Sequence, residues 1–197
     1  MNRVGIFLDR DGTINEEVDF LSSPHDLRLI PGSADAIREA NELGIKVFIV
    51  TNQSGIARGL LTEQQLAEIH NNLVMLLHNA AARIDAIYYC PHHPEIGESP
   101  YRTQCDCRKP NTGMLLQAAR EFDIDLKKSY VIGDRMLDMQ TGNNVGATSI
   151  LVLTGYGKQE LKLCHQHHIH LDYVAKDLHD AVRHVKQMLK QEQPLVP

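Results

Sequence analysis

No apolar run in this 197-residue chain approaches the ~18 residues a membrane-spanning helix requires, so no such span is expected. Basic charge is not in excess either: 20 Lys and Arg face 25 Asp and Glu, a formal net charge of −5. A general nucleic-acid binder needs a broad basic surface to meet phosphates, so no nucleic-acid partner is expected. The opening MNRVGIFLDRDG enters a strand pattern at once, without the apolar core and cleavage site of a signal peptide. The expectation is a cytoplasmic protein with no membrane partner. Cysteine is scarce, at positions 90, 105, 107 and 164. In a reducing cytosol such a set points to metal before disulfides. Internal repeats and low-complexity linkers are absent.

What remains is an ordinary globular composition, 43% apolar and 23% charged, long enough for one domain with a real core. Residues 1–191 are read as that domain and 192–197 as a loose tail. Apolar runs alternate with helical patterns. VGIFL (4–8), KVFIV (46–50), AIYY (86–89), SYVIG (129–133) and TSILVL (148–153) read as strands, and YVA (173–175) as a short edge strand. Helices are expected over SADAIREANELG with a stop at Gly44, after the cap Thr62, from about Gly113 to Phe122, near Asp138–Asn144, and from Leu178 to Gln191. This alternation predicts an α/β fold, a doubly wound and mostly parallel sheet covered on both faces.

In such sheets ligands bind beyond the carboxyl ends of the strands. Three strand ends carry polar residues: Asp9-Arg10-Asp11, Thr51-Asn52-Gln53-Ser54 and Gly133-Asp134-Arg135. In an extended segment Asp9 and Asp11 would point the same way and crowd, unless Asp11 already lies in the turn and offers its backbone carbonyl. Either arrangement concentrates negative potential. The usual remedy is a hard divalent cation such as Mg²⁺, with Asp134 as a further oxygen ligand.

This set resembles the haloacid dehalogenase (HAD) superfamily of phosphotransferases. DRDGT (Asp9, Asp11, Thr13) matches its D-x-D-x-T motif. Thr51 matches the Ser or Thr of the second motif, Lys109 the lysine of the third, and GDRMLD (Asp134, Asp138) the acidic fourth. The resemblance implies Asp9 as nucleophile through an aspartyl-phosphate, and Asp11 as general acid and base. It implies Thr51 and Lys109 as holders of the transferring phosphoryl oxygens, and Asp9, Asp11 and Asp134 as Mg²⁺ ligands. Asp138 is read as capping or positioning the helix after Asp134, outside the metal shell. About forty residues separate the first two motifs and hold a predicted helix, which leaves no room for a large cap domain.

The segment CPHHPEIGESPYRTQCDCRKP is too long for a routine connection and rich in Cys, His and Pro. Cys90-x-His92 and Cys105-x-Cys107 at its two ends suit a closed tetrahedral Zn²⁺ site of structural type. Spacing alone does not choose between His92 and His93. The loop, 90–107, hands the chain to Arg108 and Lys109, so a zinc ion there would fix the register of two cations facing the phosphate.

With this loop, the segments FLDRDGTIN, TNQSGIARG, YYCPHHP and CDCRKPNTGMLL look like the D-glycero-D-manno-heptose 1,7-bisphosphate 7-phosphatase group, with histidinol-phosphate phosphatases as close relatives. That resemblance implies a cytosolic, Mg²⁺-dependent enzyme taking a small phosphorylated sugar in nucleotide-heptose and lipopolysaccharide-core synthesis; a monomer is the default expectation, since oligomeric state is not readable from the sequence. It places the zinc ligands on Cys90, His92, Cys105 and Cys107, and sugar-phosphate recognition on Arg108. Asn52, Gln53, Ser54 and Arg135 complete the expected substrate surface. Two departures bear on the sugar. Arg135 stands where the group has lysine, and Asp19-Phe20 where it has Gly-Tyr.

Other features are weighed more plainly. CHQHHIH (164–170) is read as an exposed His run without a metal, TGYGK (154–158) as a strand-exit turn, and Arg58 as facing substrate or solvent equally. A histidinol-phosphate or other small-monoester phosphatase is the alternative activity. A zinc-organised binding module is the non-enzymatic one.

Overall fold

The computed structural model describes residues 3–192. Six parallel strands, β1 (Gly5–Leu8), β2 (Lys46–Asn52), β3 (Ala86–Cys90), β4 (Tyr130–Gly133), β5 (Thr148–Val152) and β6 (Tyr173–Ala175), form one sheet in the order β3-β2-β1-β4-β5-β6. The helices are α1 (Ser33–Glu42), α2 (Glu63–Asn79), α3 (Gly113–Phe122), α4 (Met136–Val145), α5 (Gly157–Gln166) and α6 (Leu178–Glu192). The expected loose tail falls, from residue 193 onward, outside the described residues; Glu192 still belongs to α6.

The strand sequences are apolar on both sides because both sides are covered. Ile6, Leu8, Val47 and Ile49 face α1, α2 and α6 through Ile37, Leu66, Ile69, Leu73 and Val182. Phe7, Phe48 and Val131 turn the other way, onto Met114, Leu115 and Ala118 of α3. Phe48 stacks on Phe7 at 5.1 Å and meets Phe122 edge-on at 5.0 Å. Local signals set the helix ends. Thr62 and Gln65 form a reciprocal capping box at the start of α2, and Gly44, at φ 75°, follows the end of α1. One helix has no counterpart in the sequence reading: α5 runs through the segment read as a strand-exit turn and the start of a His run. It buries Cys164 against Met139 and Leu151.

Between β1 and β2 the chain carries only α1 and one short 3-10 turn, Pro24–Asp26, so no cap domain is inserted there. The strand order reverses direction between β1 and β4. Both strands end at that switch point, β1 in Asp9 and β4 in Asp134, where a doubly wound sheet opens a crevice. Among the described residues no helix is long and apolar enough to cross a membrane.

Candidate active site and metal-binding loop

A cleft of about 260 Å³ opens over the switch point. Its floor carries Asp9, Thr51, Lys109 and Asp138, and its walls carry Glu17, Asp19, Phe20, Arg58, Arg108 and Arg135. Asn52, Gln53 and Ser54 line it as well. Asp134 lies beneath, fully buried.

Lys109 organises the floor. Its ammonium is 2.5 Å from Asp138 Oδ1 and 3.0 Å from Asp9 Oδ1, and it donates to the Val50 carbonyl at 2.8 Å. Burial alone would lower its pKa; Asp138 and Asp9 outweigh burial and hold it above the usual lysine range. Asp9 Oδ1 also accepts the Arg10 backbone N–H at 2.8 Å, so both contacts fall on one oxygen of that carboxylate. Asn52 spends both ends of its amide on the Lys109 backbone, accepting from its N–H at 3.0 Å and donating to its carbonyl at 3.2 Å. Asn52 therefore sets the register of Lys109 as well as lining the cleft.

Asp134 is held from behind. Its Oδ2 accepts the Tyr156 N–H at 2.8 Å, and Gly12 and Gly155, both at positive φ, close around it so tightly that a Cβ on either would overlap that oxygen. Thr154 donates from Oγ1 to the Gly12 carbonyl at 2.6 Å and ties the two turns together. The glycine-bearing turn read as a plain strand exit thus cradles an anion, and that anion is the Asp134 carboxylate. The other oxygen, Oδ1, is buried with no hydrogen-bond partner. Burial, with Asp9 and Asp138 nearby, pushes the pKa of Asp134 up to about 8. Burial likewise lifts Asp138 to about 6 despite its pairing with Lys109. Carboxylate oxygens of Asp9, Asp134 and Asp138 all lie within 4.8 Å of one another. An orphaned buried oxygen among three converging carboxylates, with the pKa values of Asp134 and Asp138 raised, is the environment a hard divalent cation satisfies, so the donor set fits Mg²⁺. Asp138, set outside the metal shell in the sequence reading, is the third acid of this cluster. It also accepts the Arg135 N–H at 3.0 Å, at the first turn of α4.

Asp11 turns sideways. Its carboxylate accepts from Arg10 Nε at 3.0 Å and Nη2 at 2.7 Å, from Asn15 at 2.9 Å and from Gln53 at 3.0 Å. Burial would raise its pKa, but the Arg10 guanidinium and these hydrogen bonds bring it below the usual value. The two aspartates avoid crowding because Asp11 sits in the turn, the second of the two arrangements its sequence allows. Gln53 also donates to Thr51 Oγ1 at 2.9 Å and so links the Asp11 group to the floor.

At the rim, Tyr156 donates to Asp19 Oδ1 at 2.6 Å, and the Arg135 guanidinium lies 4.2 Å above the Tyr156 ring and 3.5 Å from Glu17. The Arg58 guanidinium lies 5.4 Å from the Phe20 ring and lines the cleft, so it faces the site. Tyr156 was not singled out from sequence, because nothing local marks a tyrosine that meets Asp19 across 137 residues.

The four thiol and imidazole groups of the 90–107 loop converge. Cys105 Sγ lies 3.5 Å from Cys90 Sγ and 3.3 Å from Cys107 Sγ; His92 Nδ1 lies 3.7 Å and 3.4 Å from Cys90 and Cys107. A tetrahedral Zn²⁺ with bonds of ~2.0–2.3 Å needs edges near these lengths. All four cysteines are free thiols, and burial pushes the Cys90 and Cys107 pKa values up. His93 is used elsewhere, its Nδ1 accepting from the N–H groups of Glu95 and Ile96. Arg108 donates to the His92 carbonyl at 3.0 Å, so the loop anchors one wall of the cleft directly. At the other cluster Cys164 is buried and His165, His167, His168 and His170 point outward.

Fold and site together define a hydrolase of the haloacid dehalogenase type, and a HAD-hydrolase-like family model matches residues 106–181. The chain is 42% identical to a D-glycero-D-manno-heptose-1,7-bisphosphate 7-phosphatase of Thermosynechococcus vestitus, over 92% of this chain and 95% of that one. It is 45% identical to the corresponding Escherichia coli K12 enzyme, D-glycero-beta-D-manno-heptose-1,7-bisphosphate 7-phosphatase, over 76% and 79%. It superposes on the D,D-heptose 1,7-bisphosphate phosphatase of B. bronchiseptica, solved with magnesium and phosphate, at a TM-score of 0.82 and 35% identity, covering 95% of this chain and 99% of that one. The chain belongs to the D-glycero-D-manno-heptose-1,7-bisphosphate 7-phosphatase family of phosphoric monoester hydrolases.

Proposed function

We propose that this chain removes the C7 phosphate of a D-glycero-D-manno-heptose 1,7-bisphosphate, working as one domain with Mg²⁺ at the Asp9 cluster and structural Zn²⁺ in the 90–107 loop. The observation that carries the reading is the state of Asp9. Lys109 and the Arg10 N–H engage its Oδ1, which leaves Oδ2 as the attacking oxygen at the cleft floor.

Asp9, the Asp11 backbone carbonyl and Asp134 would hold the magnesium ion. When bound, that ion neutralises the approach of an anionic nucleophile to an anionic phosphoryl group. Asp9 Oδ2 attacks phosphorus, the bond from phosphorus to the C7 oxygen breaks, and Asp11 supplies the proton that oxygen takes up. For this step Asp11 must leave Arg10, whose charge holds its pKa down, take up a proton and turn towards the ester. It then accepts a proton from water, whose oxygen displaces Asp9 and releases inorganic phosphate. Lys109 and Thr51 hold the phosphoryl oxygens as charge redistributes. Arg108, with Arg58 and Arg135 on the rim, suits the remaining anionic part of the sugar phosphate, and Ser54 offers a neutral donor to it.

The test is a comparison of kcat/KM on heptose 1,7-bisphosphate, histidinol phosphate and simple hexose phosphates, with Asp9→Asn as control. The heptose bisphosphate should be preferred, and Asp9→Asn should lose phosphate release while keeping its fold. Turnover by folded Asp9→Asn would overturn the nucleophile; preference for histidinol phosphate would overturn the substrate.

A further inference from the structure

Among the described residues Arg10 is the largest side chain with no solvent exposure, and in sequence it lies directly between the two aspartates of the first motif. A buried guanidinium must place its N–H donors on acceptors, since it can accept nothing itself. Nε and Nη2 of Arg10 go to the two oxygens of Asp11, and Nη2 also reaches Gln53 Oε1 at 3.2 Å. On the far side, Nη1 lies 3.2 Å from Nε2 of His70, in the middle of α2. Because arginine only donates, His70 must receive this bond on an unprotonated Nε2 and carry its proton on Nδ1. His70 is itself buried, with its ring edge-on to Tyr89 at 5.9 Å. The groups facing it are thus Arg10 from the β1 turn and Tyr89 from β3, with Asp11 and Gln53 one bond further on.

We propose that His70 is a positioning residue for the phosphatase reaction: it fixes the Arg10 guanidinium plane, and through it sets the resting position from which the Asp11 carboxylate turns towards the ester, together with the orientation of the Gln53 amide. The mechanical reason is the fork of the guanidinium. Its donors share one plane, so fixing Nη1 sets the direction of Nε and Nη2. Gln53 then has no freedom to flip: its oxygen faces Arg10, and its nitrogen faces Asp11 and Thr51. One helix residue outside the cleft thereby orients both the proton-transfer group and a neighbour of the phosphoryl-holding Thr51. This inference rests on the reading of Asp11 as acid and base.

The experiment compares kcat/KM for an alkyl phosphate with that for p-nitrophenyl phosphate, in wild type, His70→Leu, His70→Gln and Asp11→Asn. Nitrophenolate departs without a proton, whereas an alkoxide needs one, so mispositioned Asp11 penalises only the alkyl ester. His70→Leu should lose about tenfold on the alkyl ester and less than about threefold on the aryl one. His70→Gln, whose Oε1 reaches the place of Nε2, should restore most of that difference. Asp11→Asn should show the same selective loss, only larger. Equal losses on both esters in His70→Leu, with the selective loss present in Asp11→Asn, would overturn the positioning role alone. No selective loss in Asp11→Asn would instead overturn the acid role of Asp11. If His70→Leu does not fold, nitrogen NMR of the wild-type imidazole decides the matter: a neutral Nδ1–H tautomer supports the link, and an Nε2–H tautomer overturns it.

Discussion

Gly12 and Asp134 are packed backbone against carboxylate. A side chain on the one would occupy the place of Oδ2 on the other, and the φ of +74° at Gly12 is itself one that L residues rarely adopt. Two loops separated by more than a hundred residues therefore depend on a missing Cβ to aim an acid at the proposed metal position. Gly12→Ala should displace Asp134 and cost about 1 kcal/mol from backbone strain alone. We expect the Mg²⁺ concentration giving half-maximal activity to rise at least ~10-fold, because one carboxylate ligand is moved. A magnesium titration of kcat in both proteins checks this. An unchanged midpoint would mean that Asp134 does not serve the metal.

Lys109 is a buried cation between two buried acids, so its removal is doubly expensive. Lys109→Met leaves Asp9 and Asp138 facing one another without compensation. It should lower stability by about 3–5 kcal/mol and abolish turnover. Lys109→Arg should not rescue activity, because a planar fork cannot replace a compact ammonium donating to Asp9, Asp138 and the Val50 carbonyl. Urea unfolding and phosphate release on the two variants test the pair of claims. Raising Mg²⁺ should recover part of the lost stability, since the proposed ion would sit on Asp9, one of the two acids.

The buried His70 links stability to pH. Burial first, and then the Arg10 charge, lower its pKa from the usual 6.5 to about 3. The unfolded chain thus binds a proton before the folded one does. The associated stability is complete above pH 6.5 and is lost as pH falls towards 3. At pH 5 the loss from this group is about 2 kcal/mol. His70→Gln removes the titration, so its unfolding free energy should fall by about 2 kcal/mol less than that of wild type between pH 7.5 and pH 5. Denaturant melts at the two pH values measure this; parallel losses would contradict it.

The 90–107 loop should hold metal in the isolated protein. Elemental analysis should find about one zinc per chain, and Cys105→Ser should reduce it. Because Arg108 is tied to the His92 carbonyl, loosening the loop should raise KM several-fold before kcat changes much. Steady-state kinetics after chelation, with magnesium restored, test the order of those effects. A loss confined to kcat would place the role of the loop at Lys109 and not at the substrate-binding wall.

Much of this molecule could be read from local pattern. The sheet was visible because each strand is a short apolar run, and α2 because Thr62 and Gln65 announce its first turn. The α5 helix was not, since Gly157-Lys158-Gln159-Glu160 carries no apolar periodicity. Its few buried contacts, Cys164 above all, acquire meaning only against Met139 and Leu151.

At the site the division follows the range of the interactions. Residue type and spacing by themselves determined that Asp9 and Asp11 leave a strand end together, and that two Cys/His pairs bracket one loop. The resemblance to the haloacid dehalogenase motifs implied further that Thr51, Lys109 and Asp134 belong to the same set. Only the tertiary structure decided that Asp11 turns to a buried Arg10, that Asp138 joins Lys109 and the acids, and that Tyr156 reaches Asp19. Those outcomes depend on which side chain can shed its water against which partner, and that competition is settled between elements far apart in the chain.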